Sequence, residues 1–190
     1  VNAGARWVLG VGLAVAAWAV ITVTPDHREH TADPIPVPAA IGESVDVSGM
    51  TVTVTDIRMT DGLRTPGGLT FGGRWAVVDA SILTRDSDLG PPLGDATLQL
   101  NDTMISSSDL IASEESLDGA DPRTGLVVSG SILFQVPEDA HLGEATVLLA
   151  RREASVSAVW TDDQAQLEVD LGAIPIETDL AFDAPTVRAP

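Results

Sequence analysis

The sequence predicts an all-β protein, an antiparallel sandwich of seven to nine strands preceded by one N-terminal transmembrane helix. Three observations lead there. The run Gly125-Leu-Val-Val-Ser-Gly-Ser-Ile-Leu-Phe-Gln-Val-Pro137 alternates throughout. Leu126, Val128, Ile132, Phe134 and Val136 fall on one face, with Val127, Ser129, Ser131, Leu133 and Gln135 on the other. From Ile41 onward, short alternating runs are separated by turn residues, with no amphipathic helix among them. Residues 7–24, finally, form an unbroken uncharged stretch.

That stretch is eighteen residues long. As a helix it spans about 27 Å, close to the hydrocarbon thickness of a bilayer. Trp7 sits at one end as an interfacial anchor would. Ala17-Trp18-Ala19 fits a signal-peptidase pattern, but cleavage there falls inside the apolar run, so an uncleaved signal-anchor is expected. Arg6 before the run and Arg28 after it nearly balance; the expected orientation has a cytoplasmic tail and an exported domain. Gly10, Ala14 and Ala17 recur at helical spacing, a small-residue face on which a partner helix packs closely in lipid.

Residues 25–40 carry Pro25, Pro34, Pro36 and Pro38 and read as an extended linker that lifts the domain off the bilayer. His27 and His30 lie here beside Asp26, Glu29 and Asp33, yet nothing in such a segment fixes two imidazoles on one metal.

The domain is expected over residues 41–172, with 173–190 as a tail. Residues 44–47 make a short strand turned by Gly49. In residues 50–58, Val52 and Val54 point inward and Thr51, Thr53 and Thr55 outward. Residues 60–73 hold Gly62, Pro66, Gly67, Gly68, Gly72 and Gly73 and read as a loop. Residues 74–84 place Ala76, Val78, Ala80 and Ile82 on one face, with Trp75 packed in the core or on a sheet face. After a turn-rich connection, Ala96, Leu98 and Leu100 face inward. Residues 101–124 form a long loop with a short edge strand near 104–106. Strands at 125–137, 145–150, 156–160 and 166–171 follow, the last with Leu167, Val169 and Leu171 inward. In the tail, Ile174, Ile176, Leu180 and Phe182 are the residues able to tie it down.

Charge excludes whole classes of function. The chain holds 28 acids against 10 basic residues, every one an Arg, for a formal charge of −18. Every acid follows residue 25, and an all-Arg base set points to GC-rich bacterial coding. Nucleic acid and anionic lipid surfaces both require a basic face and are excluded as partners. The absence of Cys removes disulfides, thiolate nucleophiles and thiolate metal sites. There is no Gly-x-Ser-x-Gly elbow, no phosphate-cradling Gly-Lys-Ser/Thr loop and no His-Glu-x-x-His. His141 stands alone in a turn. Asp86 with Asp88, Glu114 with Glu115, and Asp162 with Asp163 are loop carboxylate pairs without the spacing of a calcium loop. Asn101-Asp-Thr103 matches a glycosylation acceptor, which carries little meaning in a bacterial chain. No catalytic residue, cofactor or metal site is expected.

Three segments carry a family resemblance: residues 42–57, Arg74-Trp-Ala-Val-Val-Asp-Ala-Ser-Ile82, and residues 122–137 with their Thr-Gly entry and Phe-Gln-Val-Pro exit. Over residues 41–151 the chain resembles the telokin-like, immunoglobulin-like domains of bacterial lipoproteins and secreted antigens, a family of unknown function. The resemblance implies an exported, immunoglobulin-like antiparallel β-sandwich and no catalytic residues. The chain departs from that pattern in lacking a lipobox Cys and in extending about forty residues further. The expected function is a non-catalytic, single-pass interaction module at the cell membrane. It would hold to the bilayer through residues 7–24 and serve as an accessory subunit of a membrane-protein complex, with sheet edges or the loops 60–73 and 101–124 as contacts. The alternative is a cell-envelope sensor that binds a cation or cationic ligand through acidic loops.

Overall fold

The computed structural model of the chain describes residues 34–47, 49–85, 93, 95–120, 124–150, 153–154, 159–160 and 163–190. The apolar run with Gly10, Ala14 and Ala17, the histidines His27 and His30, and the carboxylates Asp86, Asp88 and Asp162 lie outside these residues. Among the described residues no helix is long and apolar enough to cross a membrane.

Two sheets face each other as a β-sandwich. The first runs β1 (Ile35–Ala39), β11 (Asp163–Asp170), β8 (Glu144–Ala150), β5 (Asp95–Leu100), β6 (Thr103–Ser106). The second is built on β3 (Met50–Arg64), β4 (Thr70–Thr84) and β7 (Val127–Val136). Along the free edge of β3 lie β2 (Ser44–Val47), β12 (Ile176–Glu177) and β13 (Leu180–Ala181), and along β7 lies β14 (Thr186–Arg188). β9 (Glu153–Ala154) and β10 (Val159–Trp160) pair separately.

Alternation builds the core. Val52, Val54, Ala76, Val78, Ile82, Ile132 and Phe134 from the second sheet meet Ala96, Leu98, Val147, Leu149 and Leu167 from the first. Leu171, in a short 3-10 turn capped by the Asp170 carboxylate, closes one end. The inward residues expected on the strands at 50–58, 74–84 and 95–100 are all buried here, as are Val128, Ile132, Phe134 and Val136 of the strand expected at 125–137, whereas Leu126 is half-buried and precedes β7. Gly49 takes a positive φ of 76°, the left-handed conformation that the tight β2–β3 hairpin requires.

The structure departs from the sequence reading in three places. Residues 60–73 are not a loop: β3 and β4 continue through them, and only Thr65 to Leu69 turn. The glycines serve pairing and close approach instead. Gly62 sits opposite Gly72 beside a bulge, and a Cβ on Gly62 would lie 2.8 Å from the Thr178 carbonyl oxygen. Gly62→Ala is therefore expected to cost about 1–3 kcal/mol by pushing the crossing tail off β3, read as a lower urea midpoint.

Residues 35–39 are not spacer but strand β1, parallel to β11. Proline cannot donate to a ladder, so Pro36 and Pro38 are accommodated because β1 is an edge, with Ile35, Val37 and Ala39 the residues able to donate. Finally, the sheets hold five and seven strands rather than seven to nine in all. The surplus is short edge pairing by β1 and by the tail.

The tail also covers the outer face of the second sheet. There Leu63, Trp75, Val77 and Leu133 form a second apolar cluster, roofed by Ile111, Leu180 and Phe182. Trp75 is fully buried, donates its indole N–H to the Gly72 carbonyl at 3.3 Å and meets Phe71 edge-on at 6.2 Å. Sheet-face packing is thus where Trp75 ends up.

Candidate interaction surface

Strand pairing sorts the charges by sheet. Every Arg among the strands belongs to the second sheet, and its ion pairs hold most of them. Arg58 Nη2 donates to Asp79 at 2.7 Å, Arg74 faces Asp61 at 3.8 Å and Arg64 pairs with Asp179. The strands of the first sheet carry Asp95, Glu144, Asp163, Glu168 and Asp170 and no Arg. Among the described residues, the strand arginines and their ion pairs are thus gathered on the second sheet.

Register places three of these acids, Glu144, Glu168 and Asp170, together. Gln99 pairs with Thr146, Thr146 with Glu168, and Glu144 stands directly across from Asp170. These outward side chains, with Asn101, line a shallow depression of about 360 Å³. Like charges opposite each other on adjacent strands destabilise a sheet, so the Glu144–Asp170 pair costs stability that a bound cationic group would relieve. Glu144 and Glu168 make no ion pair among the described residues.

The residues nominated from sequence are dispersed. His141 is exposed in the turn after β7, and its carbonyl accepts from the Asn101 amide at 3.2 Å. Asn101 itself takes a positive φ of 53° in the β5–β6 turn, which explains an Asn there in structural terms. Glu114 is exposed, whereas Glu115 accepts the Gly67 N–H at 2.7 Å and so pins the β3–β4 turn to the segment 107–120. The two stretches named as contact loops therefore meet, although the first is only a turn. Among the described residues no three His, Cys, Asp or Glu are grouped to hold a metal ion.

A second polar cluster lies on the outer face of the second sheet. Asp79 accepts from Arg58 and from Ser131 Oγ at 2.6 Å, beside a pocket of about 330 Å³ under the tail. Both charged side chains are about three-quarters buried, at 28% and 25% exposure. The carboxylate of this β4 residue is held by Arg58 of β3 and Ser131 of β7, so it ties three strands together. Asp79→Asn is expected to cost about 1.5–3 kcal/mol, the range for hydrogen bonds to a charged group, seen as a lower melting temperature.

Sequence reasoning missed the acid face because its members come from β5, β8 and β11, up to 71 residues apart, and only pairing brings them together.

No family model matches the chain. No curated protein matches it either. Among solved structures, it is similar to the yjhA protein from Bacillus subtilis at 14% identity and a TM-score of 0.46, covering 67% of this chain and 98% of that one. It is also similar to an uncharacterized β-sandwich protein from Clostridium difficile at 13% identity and a TM-score of 0.47, covering 72% of this chain and 96% of that one. The sandwich architecture stands on the strand pairing described above.

Proposed function

We propose that this chain is a non-catalytic, membrane-anchored, extracytoplasmic interaction module of a bacterial cell envelope, an accessory subunit of a membrane-protein complex. The observation that carries the reading is the acid face of the first sheet. Glu144 and Asp170 oppose each other there, and a surface of that charge suits a cationic partner. Support for anchoring comes from the uncharged run of residues 7–24. Support for an immunoglobulin-like domain of the telokin-like, exported kind comes from the motif resemblance over residues 41–151 and from the two-sheet sandwich.

Purification of the full chain in mild detergent, followed by mass spectrometry, tests the reading. The expected result is a stoichiometric membrane-protein partner. Replacing Gly10 and Ala14 together with Leu should then weaken co-purification severalfold without moving the melting temperature of the sandwich.

The acid depression also favours a second reading, a sensor for a small cationic ligand. A lone monomer that binds such a ligand tightly would replace the first reading with this one.

A further inference from the structure

We infer that the outer edge of β6 receives an extended, cationic segment of another protein as an added antiparallel or parallel strand. This rests on the interaction reading above and specifies its site and the chemistry of its partner.

The other edges of the two sandwich sheets are protected along most of their length among the described residues. β1 carries Pro36 and Pro38. The free edge of β3 is occupied in turn by β2, by Gly42 N–H donating to Val54 at 2.7 Å, by β12 and by β13. The edge of β7 is taken by β14 and then by the Ser108 and Leu117 N–H groups, which donate to Leu133 and Ser131. β14 itself is three residues between prolines and carries Arg188. These are the devices by which sheets avoid unwanted pairing. β6, Thr-Met-Ile-Ser, has no proline, no charge and no covering segment among the described residues; its shortness is the only restraint it retains.

Its free hydrogen-bonding groups can be named. The Ser107 N–H donates to the Ala96 carbonyl in the same register that pairs Ile105 with Leu98 and Thr103 with Leu100. In an antiparallel ladder, hydrogen-bonded pairs alternate, so residues 103, 105 and 107 bond to β5. The N–H and C=O of Met104 and Ser106 therefore point away from the sheet. Both residues are exposed, and Met104 at 58% is among the most exposed large apolar side chains. It pairs with Gln99 and so stands on the acid face, as a shoulder for an incoming side chain.

Charge selects the occupant. Asp102 and Asp109 flank the uncharged stretch 103–108, and the face behind it carries Glu144, Glu168 and Asp170 with no Arg in the sheet. A second copy of this chain would bring the same acids to the same edge. A strand with an apolar or hydroxyl centre and Lys or Arg at its ends satisfies both the backbone groups and the field.

The test uses the full chain in detergent and a labelled peptide, Lys-Thr-Val-Thr-Val-Thr-Lys, followed by fluorescence anisotropy at low salt. One control peptide has Glu at both ends. The other keeps Lys but replaces both Val with Pro, which preserves charge and abolishes strand pairing. The expected result is saturable binding that each control peptide weakens by about tenfold or more. Ser106→Pro deletes an outward N–H only, and is expected to weaken binding about tenfold at an unchanged melting temperature. Met104→Lys makes no backbone demand and is expected to weaken it likewise, so it decides the matter if Ser106→Pro destabilises the domain.

Equal binding of the proline peptide would mean adsorption by charge alone, and full affinity in Met104→Lys would mean binding away from β6; either would overturn the proposal. So would a dimer abolished by Met104→Lys, since a second copy would then own the edge. Co-purification of the same membrane protein with wild type and both variants leaves the interaction reading standing and sinks the edge. Strand-dependent peptide binding without any co-purifying protein does the reverse.

Discussion

Phe134→Ala is expected to remove a third or more of the stability of the domain. Phe134 is fully buried between the sheets, at the centre of the cluster that includes Ile132, Ala76 and Val78. It pairs with Ala76, a small residue that leaves the space the ring fills. Truncating a buried Phe costs about 3–5 kcal/mol, against about 5–15 kcal/mol for a whole domain. Urea titration should show the midpoint fall by a third or more with the slope unchanged. Ile132→Val at the neighbouring inward position is the graded control, expected to cost about 0.5–1.5 kcal/mol. A Phe134→Ala protein with a wild-type midpoint would mean that the two sheets do not share one core.

Removal of residues 174–190 is expected to be comparably severe, although it deletes nothing from the central strands. Leu180 and Phe182 are buried at 4% and 5% exposure over Trp75, Val77 and Leu133. Burial of each contributes about 1.5–3 kcal/mol, so the deletion costs about 3–6 kcal/mol before the lost β12, β13 and β14 pairings are counted. It also bares a large apolar patch and an unpaired β3 edge, so aggregation at micromolar concentration should accompany the lower midpoint on size exclusion. Phe182→Ala alone should reproduce about half the loss. Asp179→Ala should not: its ion pair with Arg64 is half exposed at both ends, where such pairs contribute at most about 1 kcal/mol. A truncated chain as stable as the intact one would show that the outer cluster is decoration.

The sequence discloses what depends on local period. Val52 and Val54, Ala76, Val78, Ala80 and Ile82, Leu98, and Val128, Ile132, Phe134 and Val136 are all buried, because facing the core between the sheets from a pleated strand imposes period two. It misleads where glycine and proline have a second use. Gly62 and Gly72 resemble loop punctuation, yet they are paired strand residues, and Gly62 lets the tail approach, while Pro36 and Pro38 occupy an edge that needs no outward donor. Gly130 is another point of close approach: a Cβ there would lie 3.3 Å from Pro185. The acid face is illegible for a different reason. Gln99, Glu144 and Asp170 share a surface only because β5, β8 and β11 are neighbours, and neighbourhood between distant strands leaves no mark in any short window.

The strap formed by residues 176–188 has a consequence for biogenesis. β12 pairs Ile176 with Met59, so the final contacts join segments made more than a hundred residues apart. During synthesis, and during any passage across a membrane, β3, β4 and β7 can meet well before the strap exists. Through that interval Trp75, Val77 and Leu133 are a hydrophobic surface open to solvent. Closing so long a loop is slow, and a chain in that condition is vulnerable to aggregation and proteolysis. The last step of folding is therefore a sealing step, and a holdase that recognises exposed aromatic surface has its window before residues 180 and 182 arrive.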